Sequence, residues 1–174
     1  MREGIIKKWQ IDGENVSCQK IVDCPDLSKT EMYNRVMNWF NNNYSDVNSV
    51  ILERDTVHGI ITGKGVFKKV FVQNSVLRNS IVDTWHILKV EFRDGRAKIT
   101  LSLTHYDESV RGSEPPDIHY QYPISKQFPF NPGGYQKDLY EKAFNTTNAR
   151  AAETIASVEK ALLSESPQTK KESW

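Results

Sequence analysis

The stretch Trp85-His86-Ile87-Leu88-Lys89-Val90-Glu91-Phe92-Arg93-Asp94-Gly95-Arg96-Ala97-Lys98-Ile99-Thr100-Leu101-Ser102-Leu103-Thr104 decides the architecture. Asp94-Gly95 is a two-residue hairpin signal, because the tight turn that matches strand twist needs residues tolerating positive φ. A hairpin folded there has a register that can be written down. Phe92 opposes Ala97, Val90 opposes Ile99, Leu88 opposes Leu101 and His86 opposes Leu103. All of these share one face, since strand side chains alternate. The other face carries Glu91 opposite Lys98, Lys89 opposite Thr100, Ile87 opposite Ser102 and Trp85 opposite Thr104. One apolar and one polar face describe an antiparallel sheet covered on one side only. Each large aliphatic on the inner face is worth roughly 1.5–3 kcal/mol when buried, so a one-residue slip is heavily penalised. The open face, with Trp85, Ile87, Lys89, Lys98, Thr100, Ser102 and Thr104, is the candidate partner surface.

Upstream, Ser28 starts a helix, with Glu31 three residues on as a reciprocal capping box and Leu27 and Met32 as a staple. Met32, Val36, Phe40 and Tyr44 form its buried stripe, with Trp39 on the flank. Asn41-Asn42-Asn43 ends it near Tyr44. Val16–Asp23 is a strand before this helix, and residues 5–11 form a small extra strand with Ile5, Trp9 and Ile11 on one face. Val50–Arg54 and Gly59–Phe67 are two strands joined by a short turn, and Asn74–Asp83 is read as loop.

Downstream, residues 107–134 form a Pro- and aromatic-rich excursion with a short strand at His119–Tyr122. It carries Tyr120, Tyr122, Phe128 and Phe130, with Tyr135 just beyond, and reads as a lid on the core or an interface. Tyr140, Phe144, Thr147, Ala151, Ile155, Val158 and Leu162 recur at spacings of three and four, marking one long helix over 135–163. A polar tail, 164–174, follows, so residues 1–163 are read as a single domain.

The formal net charge of +1 offers no long-range field for nucleic acid. No apolar run approaches the roughly 20 residues of a membrane-spanning helix. Lys7 and Lys8 interrupt the N-terminal region, so no signal core is read. The compartment stays open between cytoplasmic and exported with a leader removed. Cys18 and Cys24 are read as free thiols, because an extended segment sets them ~20 Å apart.

The elements run strand, helix, four strands, helix. The segment Tyr33-Asn34-Arg35-Val36-Met37-Asn38-Trp39-Phe40, then Val50-Ile51-Leu52, then Gly59-Ile60-Ile61-Thr62-Gly63-Lys64-Gly65 resembles a bacterial domain-of-unknown-function family with a TATA-binding-protein-like (TBP-like) fold. The resemblance covers Val16–Tyr106. It implies an α+β layout, β-α-β-β-β-β-α, with two helices on one face of a curved antiparallel sheet. It implies no reaction, cofactor or catalytic residue, and members often carry export signals.

The glycine-rich piece fails as a phosphate loop. It has three residues, not four, before Gly-Lys, no Ser or Thr after the Lys, and no following helix. The glycines are read as room for a bulge or a close helix approach. His86 and His105 are placed as diagonal neighbours on the inner face, two imidazoles without the third ligand that a metal site needs. His58 and His119 fall in loops, and pairing Cys18 with His86 has no local motif behind it. No catalytic, cofactor-binding or metal residue is assigned. The reading is a non-enzymatic binding or protein-interaction domain, using the open sheet face or the 107–134 loop, for an unknown protein or small ligand. The alternatives are an enzyme without a local motif and a nucleic-acid module.

Overall fold

A computed structural model describes residues 8–75, 79–111 and 117–164. In chain order the elements are β1 (Gln10–Asp12), β2 (Asn15–Asp23), α1 (Lys29–Asn43), the short α2 (Val47–Val50), β3 (Ile51–Asp55), β4 (Ile60–Asn74), β5 (Asn79–Arg93), β6 (Arg96–Arg111), β7 (Ile118–Pro123), a 3-10 turn (Ile124–Lys126) and α3 (Lys137–Leu163). The strands form one seven-stranded antiparallel sheet in the order β1-β2-β6-β5-β4-β3. β7 continues the sheet on β6 beyond the part of β6 that β2 covers. The chain is thus α+β, an open sheet with its two long helices on one face: the one-sided cover is what the hairpin pattern predicts, and the helix placement is what the resemblance implies.

The β5–β6 register is the one written from the Asp-Gly turn: Phe92 with Ala97, Val90 with Ile99, Leu88 with Leu101, His86 with Leu103. Every one of these is buried. The tip is docked as well as folded. Gly95 donates its amide to the Leu27 carbonyl, and Asp94 Oδ1 accepts the Lys29 amide at 2.8 Å, satisfying a free N–H at the start of α1. Ser28 Oγ accepts the Glu31 amide at 3.2 Å, half of the expected capping box. The Glu31 carboxylate instead pairs with Arg35 at 2.8 Å.

Met32, Val36, Trp39 and Phe40 of α1 face the core. α3 is a single helix that buries all seven residues picked by periodicity, with Ala143 added. Gly63 of β4 lets α1 approach, since a Cβ there would lie 2.5 Å from Phe40 Cε1, and Gly65 leaves room for His86 of the neighbouring strand, whose Nε2 would lie 2.6 Å from a Cβ.

Four expectations are corrected. Residues 74–83 are mostly strand, because β4 runs to Asn74 and pairs there with Asn79 of β5. The excursion 107–134 begins as strand, since β6 continues to Arg111 and pairs with β7. In the N-terminal strand expected over 5–11, residues 5–7 lie outside the described residues and pairing starts at Gln10. Trp9 precedes that pairing and points to α3, donating Nε1–H to Asn148 Oδ1 at 2.9 Å, while Ile11 is 59 % exposed. Finally, α3 starts at Lys137 rather than 135, and residues 165–174 of the expected tail lie outside the described residues.

Candidate functional site

The helices pack on the face of Leu88, Val90, Ile99 and Leu101, so the opposite face of β4, β5, β6 and β7 is left open. On it lies a depression of about 260 Å³ lined by Lys64, Trp85, Ile87, Thr104, His105, Asp107 and Gln121. The residues come from four adjacent strands: Lys64 from β4, Trp85 and Ile87 from β5, Thr104, His105 and Asp107 from β6, and Gln121 from β7.

A β-bulge builds this site. Trp85 pairs with His105, and His86 pairs with Leu103, so Thr104 is an extra residue on β6. The expected pairing of Trp85 with Thr104 is therefore wrong by one step. From the bulge onward the phase of β6 is inverted. Tyr106 and Glu108 turn inward and are fully buried, and His105 and Asp107 turn out to the open face. His86 and His105 are thus on opposite faces, not neighbours on the inner one. Among the described residues no group of three or more His, Cys, Asp or Glu side chains is placed to hold a metal ion.

The ring of Trp85 has a neighbour from each adjacent strand, Lys64 of β4 and His105 of β6. The His105 imidazole lies nearly parallel to it, 6.0 Å between centroids and 16° between planes. The Lys64 ammonium sits 5.2 Å from the ring centroid, a cation–π contact. Thr104 Oγ1 donates its single hydrogen to the Trp85 carbonyl at 3.2 Å. It therefore accepts from His105 Nδ1–H at 3.0 Å, which fixes the neutral tautomer with a lone pair on Nε2. Partial burial holds the His105 pKa below its ordinary 6.5; the Asp107 charge opposes that shift and Lys64 adds to it.

Of the seven residues named for the open face, Trp85, Ile87 and Thr104 line this depression. Lys98 and Lys89 belong to the other end, where both reach the Glu91 carboxylate, at 2.7 and 3.4 Å. The Lys98 hydrogen bond, helped by the Lys89 charge, lowers the Glu91 pKa. A second depression of about 220 Å³ lies there, among Ile21, Glu91, Arg93, Arg96 and Lys98. Thr100 and Ser102 lie between the two ends, and Ser102 Oγ is bonded to Ser17 Oγ of β2 at 2.7 Å. The hairpin reading missed Lys64, His105, Asp107 and Gln121. Lys64 and Gln121 sit on strands outside the hairpin, and His105 and Asp107 are visible only once the bulge is placed.

Several side chains of the 107–134 segment join the core. Ile124 is fully buried, Phe128 is buried, and Phe130 meets Phe144 edge-on at 5.2 Å. Tyr122 packs against Tyr140, while Tyr120 and Tyr135 stay exposed. A broader opening of about 910 Å³ separates the end of β4 from the start of α3. It is a gap between elements, with the exposed Gln73, Asn74, Lys137, Asp138 and Lys142 on its walls.

Comparison with known proteins agrees with this layout. The chain resembles a crystallised DUF4468 family protein from Bacteroides ovatus ATCC 8483, with a TM-score of 0.60 and 16% identity over 94% of this chain and 95% of that one. It also resembles a TBP-like protein from Parabacteroides distasonis ATCC 8503, with a TM-score of 0.65 and 16% identity over 90% of this chain and 98% of the other. At that identity the likeness is one of fold. No curated protein matches the chain. Residues 19–107, just over half of the sequence, match the family described as "Domain of unknown function (DUF4468) with TBP-like fold", and the chain belongs to that family.

Proposed function

We propose that this protein acts by binding rather than by catalysis, and that its ligand is a small molecule seated on the uncovered sheet face at Trp85. The observation that carries this reading is the convergence of four strands on one aromatic ring, with Lys64, His105, Asp107 and Gln121 around it. A half-buried aromatic with a few converging polar groups is the usual make-up of a ligand pocket. The charge pattern favours a small ligand over a nucleic-acid backbone. Cations and anions are interleaved on this face, with Lys89 and Lys98 sharing Glu91 and Lys64 lining one depression with Asp107, whereas phosphate tracking needs an unbroken run of cations.

The test is a thermal-shift screen of a small-molecule library on the wild-type protein and on a Trp85→Ala/Ile87→Ser double variant. A ligand that binds only the folded state raises stability by about 2.7 kcal/mol at a hundredfold excess over Kd. Hits that stabilise the wild type and not the variant are the expected result. Hits that stabilise both equally place binding elsewhere and end the reading.

A further inference from the structure

We propose that the Trp85 depression takes a neutral, hydroxyl-rich ring, a single sugar unit, which replaces the Lys64 ammonium over the indole. This inference rests on the reading of the depression as a ligand site and names the class of ligand.

Charge points to a neutral ligand. The lining holds one cation, Lys64, and one anion, Asp107. His105 adds none at neutral pH, because burial keeps its imidazole unprotonated. A ligand of either sign therefore meets one attractive and one repulsive charge, so its own charge brings no net attraction to set against the cost of desolvating it.

Hydrogen-bonding capacity points to hydroxyls. His105 Nδ1 is spent on Thr104, and Thr104 spends its hydrogen on the Trp85 carbonyl. What remains is the Nε2 lone pair, the Asp107 carboxylate and the Gln121 amide oxygen as acceptors, with Lys64 and the Gln121 NH2 as donors. A hydroxyl serves both kinds at once. A ligand that only accepts, such as a phosphate or a ketone, leaves the acceptors unmatched.

The apolar floor points to a ring with a C–H face. Trp85 and Ile87 supply that floor, and the negative face of an indole attracts polarised hydrogens as it attracts the Lys64 ammonium. Lys64 is exposed, its hold on the ring is of the weak surface kind, and its long side chain swings aside readily. His105, nearly parallel to the indole and held on the neighbouring strand β6, remains beside the ring when Lys64 leaves. The volume of about 260 Å³ falls below the roughly 300–1,000 Å³ of pockets for drug-sized ligands, room for one ring and not a chain.

The experiment is an NMR titration of the full chain, following the Trp85 indole N–H and the backbone amides of Lys64, His105 and Asp107. The probes are neutral monosaccharides (glucose, galactose, mannose, xylose and N-acetylglucosamine), with glucuronate and glucosamine as charged counterparts. At least one neutral sugar is expected to shift these resonances, and its charged counterparts to bind about two- to fivefold more weakly, the scale of one surface charge contact. A charged counterpart that binds as tightly as its neutral form, or neutral sugars that leave all four resonances unmoved, overturns the assignment. In the second case a Trp85-dependent hit of another chemical class in the thermal-shift screen leaves the site standing without its sugar. The absence of any such hit removes both. The wild-type titration needs no variant to fold.

Discussion

The His86 imidazole lies flat against the Phe67 ring, 4.0 Å between centroids and 18° between planes, inside the core beneath the open sheet face. Neither ring nitrogen has a hydrogen-bond partner among the described residues. Burial pushes its pKa down from 6.5 to about 4. The unfolded chain therefore takes up this proton before the folded one does as pH falls. The contribution of His86 to stability should be constant above about pH 6.5, decline between there and about pH 4, and level off below. The full loss is roughly 3 kcal/mol at 1.36 kcal/mol per unit. His105, also shifted down by burial, adds in the same direction with less weight because it is more exposed. Urea denaturation at pH 7 and pH 4.5 checks this: His86→Leu should remove most of the difference. An undiminished difference in that variant assigns the acid sensitivity to other groups.

At Gly63 the side chains of α1 press directly on the sheet backbone. A methyl group there would lie 2.5 Å from Phe40 Cε1 and 2.9 Å from Cζ, too near for either ring atom. Phe40 is fully buried and packed at 5.0 Å against Trp39 and 5.7 Å against Tyr44, so its ring has little freedom to move. Gly63→Ala should cost about 1–3 kcal/mol by overpacking. Combined with Phe40→Leu it should cost less than the sum of the single changes, because the smaller side chain makes room. A strictly additive thermal-denaturation cycle would show that the contact is relieved some other way.

The parts legible in the sequence are those whose inner residues are apolar in unbroken alternation. Ala97, Ile99, Leu101 and Leu103 announce β6 and its register with β5. The upper half of the same hairpin was hidden because its inner face carries Ser80, Thr84 and Glu108, which read as solvent residues but are buried. α3 absorbs the polarity of two of them: Thr84 bonds Thr147, and Tyr140 reaches Glu108 at 3.2 Å. The bulge did leave a trace. The buried series steps by two through Leu103 and then by three to Tyr106, a phase change that only an inserted residue explains. Following that step would have moved His105 and Asp107 to the open face and completed most of the Trp85 site.

Thr84 and Thr147 form a hydroxyl pair of 2.8 Å, both side chains fully buried, joining the middle of β5 to α3. Removing one member strands the other away from water, whereas removing both leaves an apolar contact of nearly the same shape. Thr147→Val and Thr84→Val should therefore each cost about 1–3 kcal/mol. The double variant should cost no more than either alone. Equilibrium unfolding of the four proteins measures the coupling, and a double variant as costly as both losses together contradicts it.

Arg35 ties the two long helices together at the end of α3. Its guanidinium donates to the Leu162 carbonyl at 2.7 Å and to the Ser164 carbonyl, and it holds Glu31 on its own helix at 2.8 Å. Carbonyls in the last turn of a helix have no partner within it and carry the negative end of its dipole, so a cation there is doubly placed. Arg35→Met keeps most of the aliphatic packing and removes the charge and its donors. The expected loss is about 1.5–3 kcal/mol, the range for hydrogen bonds to a charged group. Amide exchange in the last turn of α3 should quicken while the middle of the helix, anchored by Thr147 and Ala151, stays protected. Packing alone predicts little change in either measurement for Met. A variant as stable as the wild type, with the terminal turn equally protected, would assign Arg35 to packing and leave the end of α3 to be held by Leu162 and the N–H of Ser164 on the Lys160 carbonyl.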